Sequence, residues 1–258
     1  MGYHAAMLRN FLEHLTRRWR FWRKLPVGVV SVPVLVSPAS GLMYLFRSMR
    51  RVDPQLIGFA EEFVRPGAVV WDIGANQGLF SFAAAHMAGP QGKVTAFEPD
   101  LWLVEGLRAS ARRQPSTSAP VEVVPVAVAS ENALRRFAIA KRSRASNHLV
   151  GYGLSETGGE AETQTVPAVT IDWLIRTLPV PDVIKIDVEG AEQEVLAGAT
   201  ALFAQARPMV ICEVGGEARD WITEFFHSRN YILYSGLVPK AERQPCGKAS
   251  WSTLAVPR

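Results

Sequence analysis

Cysteine is scarce in this sequence: Cys212 and Cys246 are the two in 258 residues. They form no spacing typical of metal sites or disulfide frameworks, which excludes a small scaffold built on disulfides and predicts a reducing, cytoplasmic protein. Long apolar runs are absent too, because no stretch reaches the roughly 18 apolar residues that a membrane-spanning helix needs. The N-terminus does not resemble a secretory signal, since its arginines follow the apolar positions.

Positive charge is concentrated in one segment. The formal net charge is +4, but the residues up to Pro26 hold six basic residues and one acid, so the rest of the chain carries −1. Nucleic-acid binding requires an extended basic surface, which this balance does not supply. We therefore expect no nucleic-acid partner, and we assign the basic excess to an N-terminal arm.

The arm reads as a helix over residues 4–25 that Pro26 ends. Its apolar residues recur at spacings of three and four, and they are Met7, Leu8, Phe11, Leu12, Leu15, Trp19 and Trp22. Its tryptophans and arginines suit the surface of an anionic membrane, while a helix docked on its own domain or pairing two chains as a homodimer explains the same pattern. Contact with a membrane surface and dimerisation therefore both stay open.

Residues 27–36 and 42–47 are β-rich, and Ser37–Gly41 between them predicts a hairpin turn. Asp53 and Pro54 have the cap and first-position residues of a helix that extends to about Val64. We divide the chain into an extension, residues 1–52, and a main domain, residues 53–258.

The main domain alternates apolar strands with helical segments, which is typical of a parallel sheet covered by helices on both faces. Residues 131–170 interrupt this alternation and predict an insertion that covers a substrate. The predicted strands are 68–73, 94–97, 121–128, 183–186, 209–214, 231–234 and 252–256, with 134–140 and 164–169 in the insertion. The predicted helices are 78–87, 101–113, 191–202 and 220–229.

A glycine-rich turn follows the first of these strands. Asp72, Gly74, Asn76 and Gly78 give the pattern D-x-G-x-N-x-G, which lacks the tight glycine pair that dinucleotide sites use for a pyrophosphate. This argues against a NAD-dependent oxidoreductase. S-adenosylmethionine (SAM) has no pyrophosphate, and its cationic end suits nearby carboxylate and amide groups. A purely structural strand-to-helix turn is the alternative.

Glu98 ends the next strand, and an acid at this position accepts hydrogen bonds from the ribose hydroxyls of a nucleoside-type ligand. The alternative for Glu98 is a helix cap, for which Asp100 is better placed. The two elements together predict a cofactor site formed by Asp72, Gly74, Asn76, Gly78 and Glu98.

A second acidic cluster follows strand 183–186. Asp187 ends that strand and Glu189 lies in the turn, whereas Glu192 opens a helix and could be a cap. Converging acids raise one another's pKa, which suits a general base. They could instead hold a divalent cation, but without histidines among them we expect no zinc or iron and assign no metal. Glu213 ends another strand, either at the same edge of the sheet or exposed.

With these residues the chain resembles the FkbM family of SAM-dependent methyltransferases over about residues 53–234. The motifs that carry the resemblance are Trp71–Gly78, Phe97–Pro99, Val166–Asp172, Lys185–Glu192 and Val195–Gly198, with Glu213 in its strand. The Lys185–Glu192 run is quite specific to the family, whereas the glycine-rich turn is shared by many methyltransferases.

The resemblance implies a class I, Rossmann-like fold, an α/β structure with a mostly parallel seven-stranded sheet and helices on both faces. It implies methyl transfer from SAM to oxygen, on a small-molecule or glycan acceptor such as a sugar, lipid or polyketide. It makes Asp187 and Glu189 catalytic candidates, and Glu213 and Asn147 acceptor-binding residues. Asn147 and His148 match a family stretch near the active site; His148 could be a base or a surface histidine. A nucleic-acid methyltransferase and a membrane-surface binding protein are the rival functions.

Overall fold

The computed structural model describes residue 16 and residues 18–153 and 159–258. Most of the predicted N-terminal helix, including Met7 to Leu15, lies outside these residues. The prediction is wrong for the C-terminal part of this helix, because Phe21–Val27 forms strand β1. This strand pairs antiparallel with β2, Val30–Val36. Pro26 does not end a helix but lies within β1, in a two-stranded hairpin where each strand is an edge that tolerates proline.

The hairpin turn lies at Gly28 and Val29, not at residues 37–41, and Gly28 takes the left-handed φ of +55° that a tight turn needs. The expected turn is instead a 3-10 helix, Pro38–Ser40, and the expected strand at 42–47 is helix α1, Met43–Phe46. The inward residues of the hairpin, such as Leu25 and Val34, join the core beneath the main sheet.

Helix α2, Pro54–Phe63, begins as expected: the Asp53 side chain accepts a hydrogen bond from the Leu56 amide, and proline takes the first helical position. Strand β3, Val69–Ile73, follows it. The next elements are α3 (Leu79–Ala88), β4 (Lys93–Phe97), α4 (Leu101–Ala111) and β5 (Val121–Val124).

Strand β5 is shorter than expected, because Pro125 has no amide hydrogen to continue the ladder. The chain then enters a second, smaller sheet with β6 (Ala127–Val128), β7 (Ala133–Ala140), β8 (His148–Leu149) and β9 (Glu160–Val169), in the order β6-β9-β7-β8. This sheet contains the strands expected in the 131–170 insertion. A short helix, α5 (Ile171–Leu174), leads back to the main sheet.

The last elements are β10 (Val183–Ile186), α6 (Glu192–Ala197), α7 (Thr200–Gln205), β11 (Met209–Glu213), α8 (Arg219–His227), β12 (Tyr231–Ser235), β13 (Pro245–Cys246) and β14 (Ser252–Pro257). Helices α6 and α7 replace the single helix expected over 191–202. They separate at Gly198, where an added Cβ would lie 2.4 Å from the Ala129 carbonyl oxygen, so the chain there must stay close to β6.

The main sheet has the order β13-β12-β14-β11-β10-β3-β4-β5. Strands β5, β4, β3, β10 and β11 are parallel, while β14 is antiparallel to both neighbours. Apart from the two-residue β13, this is the expected seven-stranded sheet, whose first strand β3 lies at a switch point between β4 and β10. The α/β class I methyltransferase fold is confirmed.

Helices cover both faces of the main sheet. Val70 points into one core, which holds side chains of α2 and α3, and its neighbour Trp71 points into the other, which holds side chains of α5 to α8. This alternation explains why the strands read as continuous apolar runs. In the part of the chain that the structure describes, no helix combines the length and apolar character needed to cross a bilayer.

Candidate active site

The glycine-rich turn that follows β3 touches the loop after β10. Gly74 has a φ of +76°, and a Cβ there would lie 1.9 Å from the carbonyl oxygen of Asp187. The amides of Gly74 and Ala75 both donate to the Phe97 carbonyl oxygen at 3.0 Å. The turn is therefore held between the ends of β4 and β10, and only glycine fits at position 74.

The structural role of Gly78 differs from that of Gly74. Its φ is +80°, and an added Cβ would lie 2.5 Å from the Phe82 ring and 2.7 Å from the Leu107 side chain. The missing side chain thus lets α3 begin close to α4, whereas the sequence predicted a cofactor-binding residue at Gly78. It does not line either of the two cavities described below.

The N-terminal extension holds the same turn from outside. Gln77 accepts a hydrogen bond from the Ser37 amide at 2.5 Å and donates one to the Ser37 carbonyl at 2.7 Å. The Ser40 hydroxyl donates to the Asn76 side-chain oxygen at 2.9 Å. Sequence reasoning missed Gln77, because nothing in the motif indicates that the extension reaches it.

Glu98 lies at the end of β4, and its carboxylate accepts backbone hydrogen bonds from Asn76 at 2.8 Å and from Asp100 at 2.9 Å. Burial raises the pKa of Glu98 to about 8, assisted by the charge of Asp100 and opposed by the two amides and Lys185. Asp100 caps α4 through the Trp102 amide, as expected. A carboxylate has about four lone-pair positions, so Glu98 can accept further hydrogen bonds from a ligand.

Glu98 borders a cavity of about 550 Å³, here called the large cavity. Its walls combine Gly74, Asn76, Asp187 and Glu189 with a mostly apolar remainder. That remainder consists of Ile73, Phe97, Pro99, Val126, Ala127, Val128, Phe137, Ala145, Leu149 and Val188, with Arg144 and Asn147 as polar members. The mixture of apolar walls with a few polar groups is typical of a cofactor or small-molecule site.

The 131–170 insertion supplies one wall of the large cavity. Asn147 donates to Asp100 at 2.9 Å and accepts from the Ala140 amide, and Arg144 forms an ion pair with Asp100. The insertion thus covers the Glu98 side of the site. Asn147 was expected beside Glu213 in an acceptor pocket, but the two residues line different cavities.

His148 is not brought to either cavity. It is buried in β8, its Nδ1 atom lies 3.0 Å from the Ser146 carbonyl oxygen, and its ring packs so closely on Gly153 that a Cβ there would approach within 2.5 Å. The structure therefore offers no support for His148 as a base, nor for an exposed loop histidine.

Asp72 lies beneath the turn and is fully buried. Its carboxylate accepts from the Ser81 hydroxyl at 2.6 Å and lies 3.3 Å from the Lys185 ammonium. Lys185 also donates to the Gly74 carbonyl at 2.8 Å and lies 3.3 Å from Asp187. Asp72, expected to bind the cofactor, does not line the large cavity, and Lys185 links it to Asp187, which does.

Burial acts to lower the pKa of Lys185, but the charges of Asp187 and Asp72 outweigh it and raise this pKa above its ordinary value. Lys185 is therefore a permanent cation and not a base. It fixes the position of Asp187, which is the residue of this group that reaches solvent, with 28% of its side chain exposed.

The turn after Asp187 is held by Glu192, which accepts from the Val188 and Gly190 amides at 3.1 Å each. Glu192 thus takes a structural role. Glu189 stands in the left-handed region with a φ of +57° and borders the large cavity. Burial raises the pKa of Glu189 to about 8, together with the charges of Asp187 and Glu192.

A second cavity of about 400 Å³, here called the small cavity, lies at the ends of β10 and β11. Glu213 lines it, as do Asp53, Gln55 and Trp251, which sequence reasoning did not assign to a site. Asp187 borders both cavities. Within the described residues, no three His, Cys, Asp or Glu side chains are arranged to hold a metal ion.

A sequence model of one family, the methyltransferase FkbM domain, matches residues 72–236. The hexuronic acid methyltransferase AglP of Haloferax volcanii is 26% identical over 209 residues, which cover 76% of this chain and 80% of that protein. The 31-O-demethyl-FK506 methyltransferase FkbM of Streptomyces tacrolimicus is 31% identical over 159 residues, 52% of this chain and 60% of that one.

Two solved methyltransferase structures are among those similar to this chain. A methyltransferase FkbM from Methylobacillus flagellatus has a TM-score of 0.47 and 15% identity, covering 78% of this chain and 52% of that chain. A precorrin-6y C5,15-methyltransferase from Geobacter metallireducens has a TM-score of 0.45 and 13% identity, covering 82% of this chain and 91% of that chain.

Proposed function

The chain belongs to the FkbM family of methyltransferases, and on that premise we propose that it transfers the methyl group of SAM to a hydroxyl oxygen of a sugar, glycan, lipid or polyketide-type acceptor. SAM is the cofactor of this family of enzymes. The observation that carries the proposal is the position of Asp187, the carboxylate that borders both the large and the small cavity.

The large cavity fits SAM in the chemistry of its donors and acceptors. Glu98 has free acceptor capacity for the two ribose hydroxyls, and Phe97 and Phe137 give the apolar wall that an adenine ring requires. Asp187 supplies negative charge for the cationic sulfonium of the cofactor, while Glu189 is a further polar group in the wall. When bound, the cofactor supplies a methyl group on a sulfonium, which is an electrophile for a hydroxyl oxygen.

The small cavity holds the acceptor in this proposal. A hydroxyl is a weak acid, so its oxygen attacks more readily when a neighbouring base accepts its proton. Lys185 engages the Oδ2 atom of Asp187, and the acceptor hydroxyl donates its proton to Oδ1. Holding the acceptor in the small cavity and the cofactor in the large one supplies the alignment that lowers the entropic part of the barrier.

Transfer of labelled methyl from SAM to a panel of hydroxyl acceptors, read by product mass, tests the function. We expect product from the parent protein and a fall in kcat on the order of 10²–10⁴-fold for Asp187→Asn, the range of general-base effects. Asp220→Asn, the same change at a side chain that is 82% exposed, serves as the control.

Calorimetric binding of S-adenosylhomocysteine separates the outcomes. Asp187→Asn should still bind it, because we expect the substitution to lower kcat and not the affinity for the cofactor. Full turnover by Asp187→Asn would overturn the assignment of the base. A parent protein that binds S-adenosylhomocysteine but methylates no hydroxyl of the panel would overturn O-methylation.

A further inference from the structure

The small cavity is lined by more acidic than basic side chains. Three carboxylates line it, from Asp53, Asp187 and Glu213, beside the Gln55 amide. They come from three separate elements, the cap of α2, the end of β10 and the end of β11. The cavity is thus assembled by the fold, and is not an acidic run on one surface.

Among the described residues that line the small cavity, Lys185 is the one basic residue beside these three acids. Its ammonium already has three partners, the Gly74 carbonyl and the carboxylates of Asp72 and Asp187, at 2.8, 3.3 and 3.3 Å. Two carboxylates therefore already share the positive charge of this ammonium. Lys185 accordingly leaves no net positive charge in the cavity to attract a carboxylate of an incoming ligand.

The acids of the small cavity already oppose one another. Burial raises the pKa of Glu213 to about 8, with the charges of Asp187, Glu189 and Glu192 acting in the same direction and Lys185 against them. Burial also raises the pKa of Asp53, and the charge of Asp187 adds to this. A further negative charge in the cavity would meet repulsion without a compensating partner.

The remaining residues that line the small cavity suit a sugar ring. Trp251 borders the cavity with 46% of its surface exposed, and Leu56 and Phe59 of α2 line it as well. An aromatic face packs against the apolar face of a sugar ring, while carboxylate and amide groups at the edge exchange hydrogen bonds with hydroxyls.

From this combination we propose that the small cavity selects an uncharged or amino-bearing sugar ring as the acceptor and rejects a ring that carries a carboxylate. The inference rests on the proposed function and adds the substrate class. It also sets the chain apart from its relative in Haloferax volcanii, whose name specifies a hexuronic acid.

The test uses matched acceptor sets of several ring configurations, each set being a methyl hexoside, its amino analogue and its uronic acid. We expect kcat/KM for the uncharged or amino member to exceed that for the uronic acid by about 100-fold or more in the set that is methylated. Equal or greater kcat/KM for the uronic acid overturns the proposal.

The pH dependence of that ratio provides a second measurement. The uronic acid stays charged throughout, whereas Glu213 gains its negative charge as the pH rises through about 8. The preference of the parent protein for the uncharged member should therefore grow between pH 6.5 and 9. Dividing by the uronic acid value cancels effects of pH on the shared chemical step, and a ratio that falls with pH contradicts the proposal.

Glu213→Gln should reduce the preference about tenfold and flatten its pH dependence, while Glu224→Gln, an exposed position on α8, should change neither. Binding of S-adenosylhomocysteine verifies that both variants are folded. If labelled methyl reaches a lipid or polyketide hydroxyl but no sugar, the sugar inference fails while O-methylation stands. If no hydroxyl is methylated, the proposed function itself fails.

Discussion

The ammonium of Lys185 lies 3.3 Å from the carboxylate of Asp187, and the side chain of the lysine is 4% exposed. On its other side, at the same distance, is Asp72, which is 1% exposed. Lys185 therefore links a carboxylate that no solvent reaches to one that faces both cavities. Asp72 and Lys185 together hold the Asp187 side chain in position.

Replacing Lys185 by methionine should destabilise the fold by about 3–5 kcal/mol, because Asp72 would keep a buried charge without its cationic partner. Urea unfolding measures this change. The double variant Lys185→Met with Asp72→Asn removes the stranded charge and should recover part of the loss. A single variant as stable as the parent protein would contradict the role given to this pair.

Affinity for S-adenosylhomocysteine should rise with pH through about 8. The Glu98 carboxyl has its pKa raised to about 8 by burial, and its ionised form accepts more and stronger hydrogen bonds from the ribose hydroxyls than its protonated form. Below that pH the proton must be displaced, so affinity falls by up to about tenfold per pH unit. Calorimetry from pH 6.5 to 9 measures the trend.

The control for this trend is Glu98→Gln, which keeps every other acid of the site. Glu189 and Glu213 titrate in the same range, so only the difference between the variant and the parent belongs to Glu98. We expect weaker binding and a shallower slope. Parallel slopes would show that Glu98 does not bind the ribose.

Gly74→Ala should cost more stability than Gly67→Ala. Both glycines have a left-handed φ, +76° and +82°, and share the conformational cost of about 1–2 kcal/mol. A Cβ at Gly67 meets nothing within 4 Å, whereas one at Gly74 meets the Asp187 carbonyl oxygen at 1.9 Å. The clash should add roughly 1–3 kcal/mol and weaken cofactor binding; equal unfolding midpoints would contradict this contact.

Gln77→Ala should destabilise the fold by about 1–3 kcal/mol, because the buried Ser37 amide loses its acceptor and the Ser37 carbonyl loses the shorter of its two hydrogen bonds. Gln164→Ala removes a hydrogen bond to Glu162 that is exposed and should change stability by less than about 0.5 kcal/mol. Thermal unfolding compares the two. If Gln77→Ala unfolds at the same temperature as the parent protein, the extension does not support the turn.

The residues that the sequence identified best are those at strand ends. Gly74, Glu98 and Asp187 each follow a buried parallel strand, and parallel strands direct their carboxyl ends to one edge, so their meeting follows from the fold class. Asp53 was correctly predicted as a helix cap. That the cap faces a cavity depends on how α2 packs on the sheet, which no local pattern encodes.

The N-terminal error has a physical cause in the sequence itself. Phe21, Arg23, Leu25 and Val27 alternate along β1 with the more buried side toward the core, yet Trp19 and Trp22 also fit a helical spacing. The helical reading required Pro26 as a terminator, whereas the hairpin accommodates it at a strand edge. Two periodicities overlapped, and tertiary packing decided between them.

Strand β14 lies between β11 and β12, although it follows both in the chain. Until Ser252–Pro257 leave the ribosome, the facing edges of β11 and β12 have no partner, and exposed strand edges invite pairing between chains. The wall of the small cavity that Trp251 and Ser252 provide is also absent until this part of the chain is made. Nascent chains of this protein are therefore vulnerable to aggregation until β14 pairs, and the rate of synthesis and the supply of chaperones should affect the yield of folded protein.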